Sequence, residues 1–183
     1  LALGREGPLA GRRIVVTAGG THEPIDPVRV EANRSSGKQG LALAQAALDR
    51  GAAVTIITGP TALETPVGAE RIDVQAAGEM SEAVLAASAG ADALLMAAAV
   101  ADFRPVHPAA EKIKRARGAL EIRLEATDDI LMKVAAIRKK TKHPAVVVGF
   151  AAESQDLVNN ARQKLQSKQL DLIVANDITA LDA

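Results

Sequence analysis

With 183 residues, 48% of them hydrophobic, and 22 basic residues balancing 22 acidic ones, the chain suits one core-forming domain with no global field to draw it to DNA or an anionic membrane. Two Phe and no Trp or Tyr leave little surface for stacking on bases, which argues against a single-stranded nucleic acid partner. The absence of cysteine removes disulfides, thiolate metal sites and a cysteine nucleophile, and fits a reducing compartment, with the cytoplasm as the default.

In chain order, Leu1 to Gly11 reads as a linker. Without an initiator Met or a signal-peptide pattern, the chain is expected to be one module of a larger enzyme, with its folded domain over 12–183. Arg13 to Thr17 is predicted as a strand closed by the turn Ala18-Gly19-Gly20-Thr21, where backbone N–H groups can face an anion. The segment His22 to Arg34 carries Pro24, Asp26 and Pro27 without a period and is expected to be an ordered loop. The glycine fingerprint of dinucleotide-binding proteins, which opens a helix directly after the first strand, is absent. A helix is predicted from Ser35-Ser36-Gly37-Lys38, capped by a serine, with Leu41, Ala44 and Leu48 on its apolar face and Gly51 ending it. Asn33, Arg34, Ser35, Ser36 and Lys38 also make this helix start a candidate anion site; an ordinary cap has the same pattern.

Ala53 to Thr58 and Arg71 to Val74 are predicted strands, and Glu79 to Ser88 a helix with Met80, Ala83, Val84 and Ala87 at helical spacing. Leu94 to Val100 is the predicted central strand. The apolar run around it, Ala91 to Ala101, is about half of what a bilayer requires, so no membrane span is expected. The strand breaks at Asp102-Phe103-Arg104-Pro105 and leads into an arm with Lys112, Lys114, Arg115 and Arg117. Ala119 to Glu125 alternates Leu120, Ile122 and Leu124 with Glu121, Arg123 and Glu125, which predicts a returning strand and a two-stranded flap over about 103–126. Such a flap offers cations to a polyanion, or is an ordinary solvated hairpin.

Thr127-Asp128-Asp129 is expected to cap a helix to about Lys140, with Arg138, Lys139 and Lys140 at its negative end, stopped by His143-Pro144. A fifth strand, Ala145 to Val148, is expected to end before Gly149-Phe150-Ala151-Ala152-Glu153. A helix follows from Gln155 to Lys168 with Leu157, Ala161 and Leu165 inward, then a strand from Asp171 to Val174 before Asn176-Asp177. On that helix Lys164 and Lys168 share a face, where cations also complement the helix end. The alternation predicts an α/β Rossmann-like parallel sheet with helices on both faces and a β-hairpin flap, its ligand edge at the carboxyl ends of the strands. The chemically distinctive residues fall near those ends. His22, His107 and His143 have no ligand spacing, so no protein metal cage is expected and any Mg²⁺ arrives on phosphates.

The blocks VTAGGTHEPIDPVR, NRSSGKQG, AAAVADFRP, EKIK, GFAAES, KLQSK and DLIVAND together resemble phosphopantothenoylcysteine synthetase, the ligase domain of the bacterial bifunctional coenzyme A biosynthesis protein, from Leu9 to Asp177. The resemblance implies that CTP activates 4'-phosphopantothenate as an acyl cytidylate and that the amine of cysteine displaces CMP. It implies CTP contacts from Asp102, Lys112, Phe150, Lys164, Lys168 and the segment Thr127, Asp128, Asp129 and Ile130, and a pocket for the activated acyl group at Ala98, Ala99 and Val100. Asn33 matches the asparagine that holds the activated intermediate, and Lys112 the flap lysine tied to attack by cysteine. Gly19, Ser35, Ser36 and Asn176 match weaker substrate or phosphate contacts. A homodimer in which each flap closes over the neighbour's site is implied, with Mg²⁺ on the phosphates and FMN only in a preceding decarboxylase domain.

The family's usual Asn-Pro-Asp-Ile is here Thr127-Asp128-Asp129-Ile130. The expectation is that Thr127 still caps and Asp128 takes the first-turn place of the proline. The chain also ends short of further strands usual in the family. Two other readings stay open, an NAD(P)-dependent oxidoreductase on the same sheet and a non-catalytic nucleotide-sensing module.

Overall fold

The computed structural model describes residues 6–115, 119–153 and 155–177; Arg117, Ser154 and the first five linker residues lie outside them. Six parallel strands form the main sheet: β1 (Arg13–Ala18), β4 (Ala53–Thr58), β5 (Glu70–Asp73), β6 (Ala93–Met96), β9 (Val146–Glu153) and β10 (Leu172–Asp177), in the order β10-β9-β6-β1-β4-β5. The helices are α1 (Lys38–Leu48), α2 (Ala77–Ser88), α3 (Ile130–Thr141) and α4 (Leu157–Ser167). None of them is long and apolar enough to cross a membrane.

β1 lies at the centre and sorts its side chains by the two-residue period of a strand. Ile14, Val16 and Ala18 face α1, joining Leu41, Ala44, Ala47, Val54 and Ile56. Val15 faces the other way, into a second core with Met80 and Val84 of α2, Ile130 and Val134 of α3, and Leu94 and Val147 of the neighbouring strands. Helices thus cover both faces. The order reverses on either side of β1, which parts the chain at the carboxyl ends of β1 and β6 and opens a crevice where such sheets bind ligands.

Close helix packing is written at Gly40, where an added Cβ would lie 2.6 Å from both the Ala18 Cβ and the Thr17 carbonyl oxygen. That contact lets α1 press onto β1 and carries the loop before it to the strand tip. At the other end of α1, Leu9 N–H donates to the Arg50 carbonyl at 2.8 Å. Residues 6–11, expected as linker, therefore form turns against the domain, with Leu9 on the α1 core.

Several predicted boundaries move, each for a local reason. His22 to Arg34 is an antiparallel hairpin, β2 (His22–Pro24) with β3 (Val30–Ala32), rather than a loop. Its turn is made by Asp26, whose Oδ1 accepts from the N–H groups of Val28 and Arg29 at 2.8 and 2.9 Å. β6 stops at Met96 instead of Val100 because the next backbone donor, Ala97 N–H, turns back to the Leu95 carbonyl at 3.2 Å and threonine side chains take two of those that follow. Ala98 N–H donates to Thr17 Oγ1 at 3.0 Å and Ala101 N–H to Thr21 Oγ1 at 2.9 Å.

The flap ladder is shorter than expected, pairing β7 (Phe103–Pro105) with β8 (Leu124–Ala126). The ladder formers of Ala119 to Arg123 lie beyond it, although Val106 N–H still reaches the Arg123 carbonyl. β9 runs through Gly149 and Phe150, and β10 through Asn176 and Asp177, because their parallel ladder continues to Asp177 opposite Glu153. These residues therefore sit within strands rather than beyond strand ends.

Candidate active site

The two helix starts beside the crevice are built differently from the sequence expectation. α1 is preceded by Gly37 in the left-handed region (φ 78°), with no side chain capping it. The serines act one step earlier, Ser35 Oγ accepting from Gly37 N–H at 3.3 Å and Ser36 Oγ from Lys38 N–H at 3.4 Å. At α3 the cap is Asp129, which accepts from Met132 N–H at 3.0 Å. Thr127 does not cap; its hydroxyl donates to the Ala101 carbonyl at 2.6 Å and its N–H to the Asp102 carbonyl at 2.9 Å. Asp128 consequently precedes the cap rather than opening the first turn, and pairs with Lys133 at 2.6 Å. That lysine holds the Asp128 carboxyl below its ordinary range by hydrogen bond and charge.

A cleft of about 820 Å³ opens along this edge. Of the expected site residues it takes in Asn33, Ser35, Ala98, Ala99, Asp102, Thr127, Asp128, Asp129, Ile130, Phe150, Lys164, Lys168 and Asn176. Gly19, Ser36 and Lys112 are not in its wall. Gly19 and Ser36 lie just behind, in the turn and loop that support it. Lys112 stands exposed on the arm.

Asn33 reaches the cleft because the β2–β3 hairpin returns the chain across the tip of β1. Its backbone fits there only over a glycine, since a Cβ on Gly20 would come within 2.7 Å of the Asn33 carbonyl oxygen. Asn33 Nδ2 donates to the Val100 carbonyl at 3.0 Å, so the carboxamide is braced by the segment that follows β6. That segment is itself held to the tip of β1 by Ala99 N–H on the Gly19 carbonyl at 2.8 Å.

On the opposite wall, α4 presents Lys164 and Lys168 inward. Lys164 Nζ donates to the Phe150 carbonyl at 2.7 Å, and Lys168 forms an ion pair with Asp129. Their i, i+4 spacing is therefore used toward the crevice. Both are held by partners that an incoming anion can replace. Asp102 contributes a carboxylate with no hydrogen-bond partner among the described residues.

Arg34, named with the candidate anion site at the helix start, also lines the cleft, as do Gln39 and Phe103, which the expected site omitted. Arg34 was legible as part of the cationic helix start. Gln39 comes into view only when the rotation of α1 is known. Among the described residues no cluster of three or more His, Asp or Glu could hold a metal ion.

Residues 9–183 match the family described as DNA/pantothenate metabolism flavoprotein C-terminal domain. The chain is 48% identical over 174 residues to the coenzyme A biosynthesis bifunctional protein CoaBC of Bacillus subtilis, covering 94% of this chain and 42% of that protein. It is 49% identical over 178 residues to the CoaBC protein of Mycobacterium tuberculosis, covering 93% of this chain and 43% of that protein. The chain thus spans less than half the length of these curated relatives. Among solved structures, the C-terminal domain of a CoaBC protein superposes with a TM-score of 0.80 at 40% identity, covering 92% of this chain and 79% of that one.

Proposed function

Since the chain belongs to the DNA/pantothenate metabolism flavoprotein C-terminal domain family, we propose that it is the ligase module of coenzyme A biosynthesis, joining 4'-phosphopantothenate to cysteine at the expense of CTP. The observation that carries this reading is the convergence of Asn33, Asp102, Phe150, Lys164 and Lys168, from well-separated stretches of sequence, on one cleft at the carboxyl edge of the sheet.

In the proposed reaction a carboxylate oxygen of phosphopantothenate attacks the α-phosphorus of CTP and pyrophosphate leaves. The reactants are both anions. Lys164 and Lys168 lower their repulsion, exchanging the Phe150 carbonyl and the Asp129 carboxylate for phosphate oxygens, and they stabilise charge as it develops on the leaving group. Magnesium enters as part of the nucleotide substrate and supplies further charge neutralisation. The Asn33 carboxamide, already braced on the Val100 carbonyl, holds the acyl cytidylate beside Ala98 and Ala99. The cysteine amine then attacks the acyl carbon, loses a proton, and CMP departs with the electron pair of the broken C–O bond.

The mixed anhydride must be kept from water. We assign this to the flap, working across a homodimer. Lys112 is absent from the wall of its own protomer's cleft, and the flap leaves Leu120, Ile122 and Leu124 exposed, at 53%, 39% and 42%. A second copy accounts for both. An NAD(P)-dependent oxidoreductase is disfavoured because β1 leads into the β2–β3 hairpin rather than a phosphate-binding helix.

The test is turnover. Protein supplied with CTP, Mg²⁺, phosphopantothenate and cysteine is expected to release one CMP and one pyrophosphate per amide formed. Binding of CTP without pyrophosphate release would replace the enzyme with a nucleotide-sensing module. Thermal shifts larger with CTP than with ATP are expected, and the reverse order would reject CTP as the nucleotide.

A further inference from the structure

The lysine arm does not hang free from the flap. At Ile113, half-buried between exposed Lys112 and Lys114, both halves of the backbone are held by the β2–β3 hairpin. Ile113 N–H donates to Asp26 Oδ2 at 3.1 Å, and its carbonyl accepts from Arg29 Nη2 at 2.5 Å. A third tie lies four residues earlier, where Ala109 N–H donates to the Ile25 carbonyl at 2.9 Å.

The division of labour within Asp26 is the informative point. Oδ1 takes the Val28 and Arg29 N–H groups that make the turn, while Oδ2 faces the arm, with Arg29 Nη2 beside it at 3.5 Å. The Asp26 side chain has no exposed surface. A buried carboxylate requires such donors, so the arm that supplies one is drawn to this spot. Burial alone would push the carboxyl up, but the three backbone donors and the Arg29 charge outweigh it and hold it below its ordinary value.

We infer that Asp26 is a positioning residue for the reaction: by binding the Ile113 N–H it docks the cationic arm on the hairpin that also carries Asn33, and so sets where Lys112 stands. The inference rests on the proposed reaction with Lys112 in the role the family resemblance implies, serving the attack by cysteine, but the dock itself can be read without turnover. Loop-borne cations lose effectiveness when free to wander, because catalysis depends on a fixed orientation of the acting group. The hairpin gives this arm a fixed origin.

Asp26→Asn separates the two oxygens. The amide keeps one acceptor for the turn and places NH₂ against the Ile113 N–H. In the native chain, trypsin cleavage after Lys112, Lys114 and Arg115 is expected to rise about tenfold or more, as a charged hydrogen bond is lost and the open arm becomes more populated. Amide formation is expected to slow by about tenfold, with the pyrophosphate burst and the KM for CTP changed less than about twofold. Adding Asp26→Asn to Lys112→Ala is expected to cause no further loss, because a residue acting only through another is not additive with it.

Ile113→Pro removes the same donor from the arm side and leaves the hairpin intact. It is expected to reproduce the rise at Lys114 and Arg115, and it decides the question if the Asp26 variant does not fold. Unchanged cleavage in the folded variant, or losses from Asp26→Asn and Lys112→Ala that multiply, would overturn the inference. If the wild-type chain releases no pyrophosphate, the proposed reaction fails, and the cleavage ratio alone then supports or overturns the dock.

Discussion

The placement of the α1 loop depends on a steric fact that a pair of glycine substitutions isolates. At Gly40 an added Cβ would stand 2.6 Å from the Ala18 Cβ and the Thr17 carbonyl oxygen and 2.9 Å from the Ala18 Cα. All are atoms of a central strand that cannot turn aside. Carbon atoms pack at about 3.5–4.0 Å, so α1 must retreat by roughly 1 Å. Overpacking of this kind costs about 1–3 kcal/mol, against about 1 kcal/mol regained from replacing glycine inside a helix.

The net expectation for Gly40→Ala is a loss of up to about 2 kcal/mol, or up to roughly 8 °C in Tm at about 2–4 °C per kcal/mol for a chain of this size. Gly78, in α2, has nothing within 4 Å of an added Cβ, so Gly78→Ala collects the conformational gain alone and is expected to stabilise by up to about 1 kcal/mol. Urea denaturation of both variants measures the difference. Because the retreat carries Asn33 to Gly37 away from the strand tip, Gly40→Ala is also expected to slow pyrophosphate release. Equal stability of the two variants would refute the claim that close approach of α1 fixes the loop.

Asp129→Ala removes the cap of α3 and is expected to cost about 1 kcal/mol by thermal denaturation, whereas Asp128→Ala, a surface pair, is expected to change stability by less than about 0.5 kcal/mol; the opposite ranking would restore Asp128 to the helix. Lys112→Ala is expected to slow amide formation far more than it weakens CTP binding, and equal losses in single-turnover and binding measurements would reject its assignment to the second step. Asp26, Asp92, Asp128 and Asp171 all have carboxyls held below their ordinary value, Asp92 by the Arg13 N–H and Arg12, and Asp171 by Arg138 and the Val147 N–H against the opposing effect of burial. Groups depressed on folding add stability above their unfolded pKa and lose it as pH falls through the lower folded one, so Tm is expected to fall below about pH 4. A Tm unchanged down to about pH 2 would contradict these pairings.

The parallel sheet was legible because its signals are strong and local. Runs such as Ile14 to Thr17 and Ala53 to Thr58, separated by helical periods, admit few arrangements once right-handed crossovers are imposed. What escaped was the placement of single polar residues. Thr17 and Thr21 look like ordinary strand-end threonines, yet they take the N–H groups of Ala98 and Ala101 and help end β6 early. Thr127 was read as a cap because its type suits one, but the Ala101 carbonyl at the base of the flap claims its hydroxyl and the cap passes to Asp129. Asp26 shows the same limit. Its turn chemistry could be read from the neighbouring prolines, while its contact with Ile113 is 87 residues distant and has no local signature.

The most direct measurement follows an oxygen atom. Phosphopantothenate labelled with ¹⁸O in its carboxylate, turned over with CTP, Mg²⁺ and cysteine, is expected to deliver one labelled oxygen to CMP, because the carboxylate attacks the α-phosphorus and that oxygen leaves with the nucleotide. Label in orthophosphate or pyrophosphate, or amide formed with unlabelled CMP, would contradict activation as an acyl cytidylate.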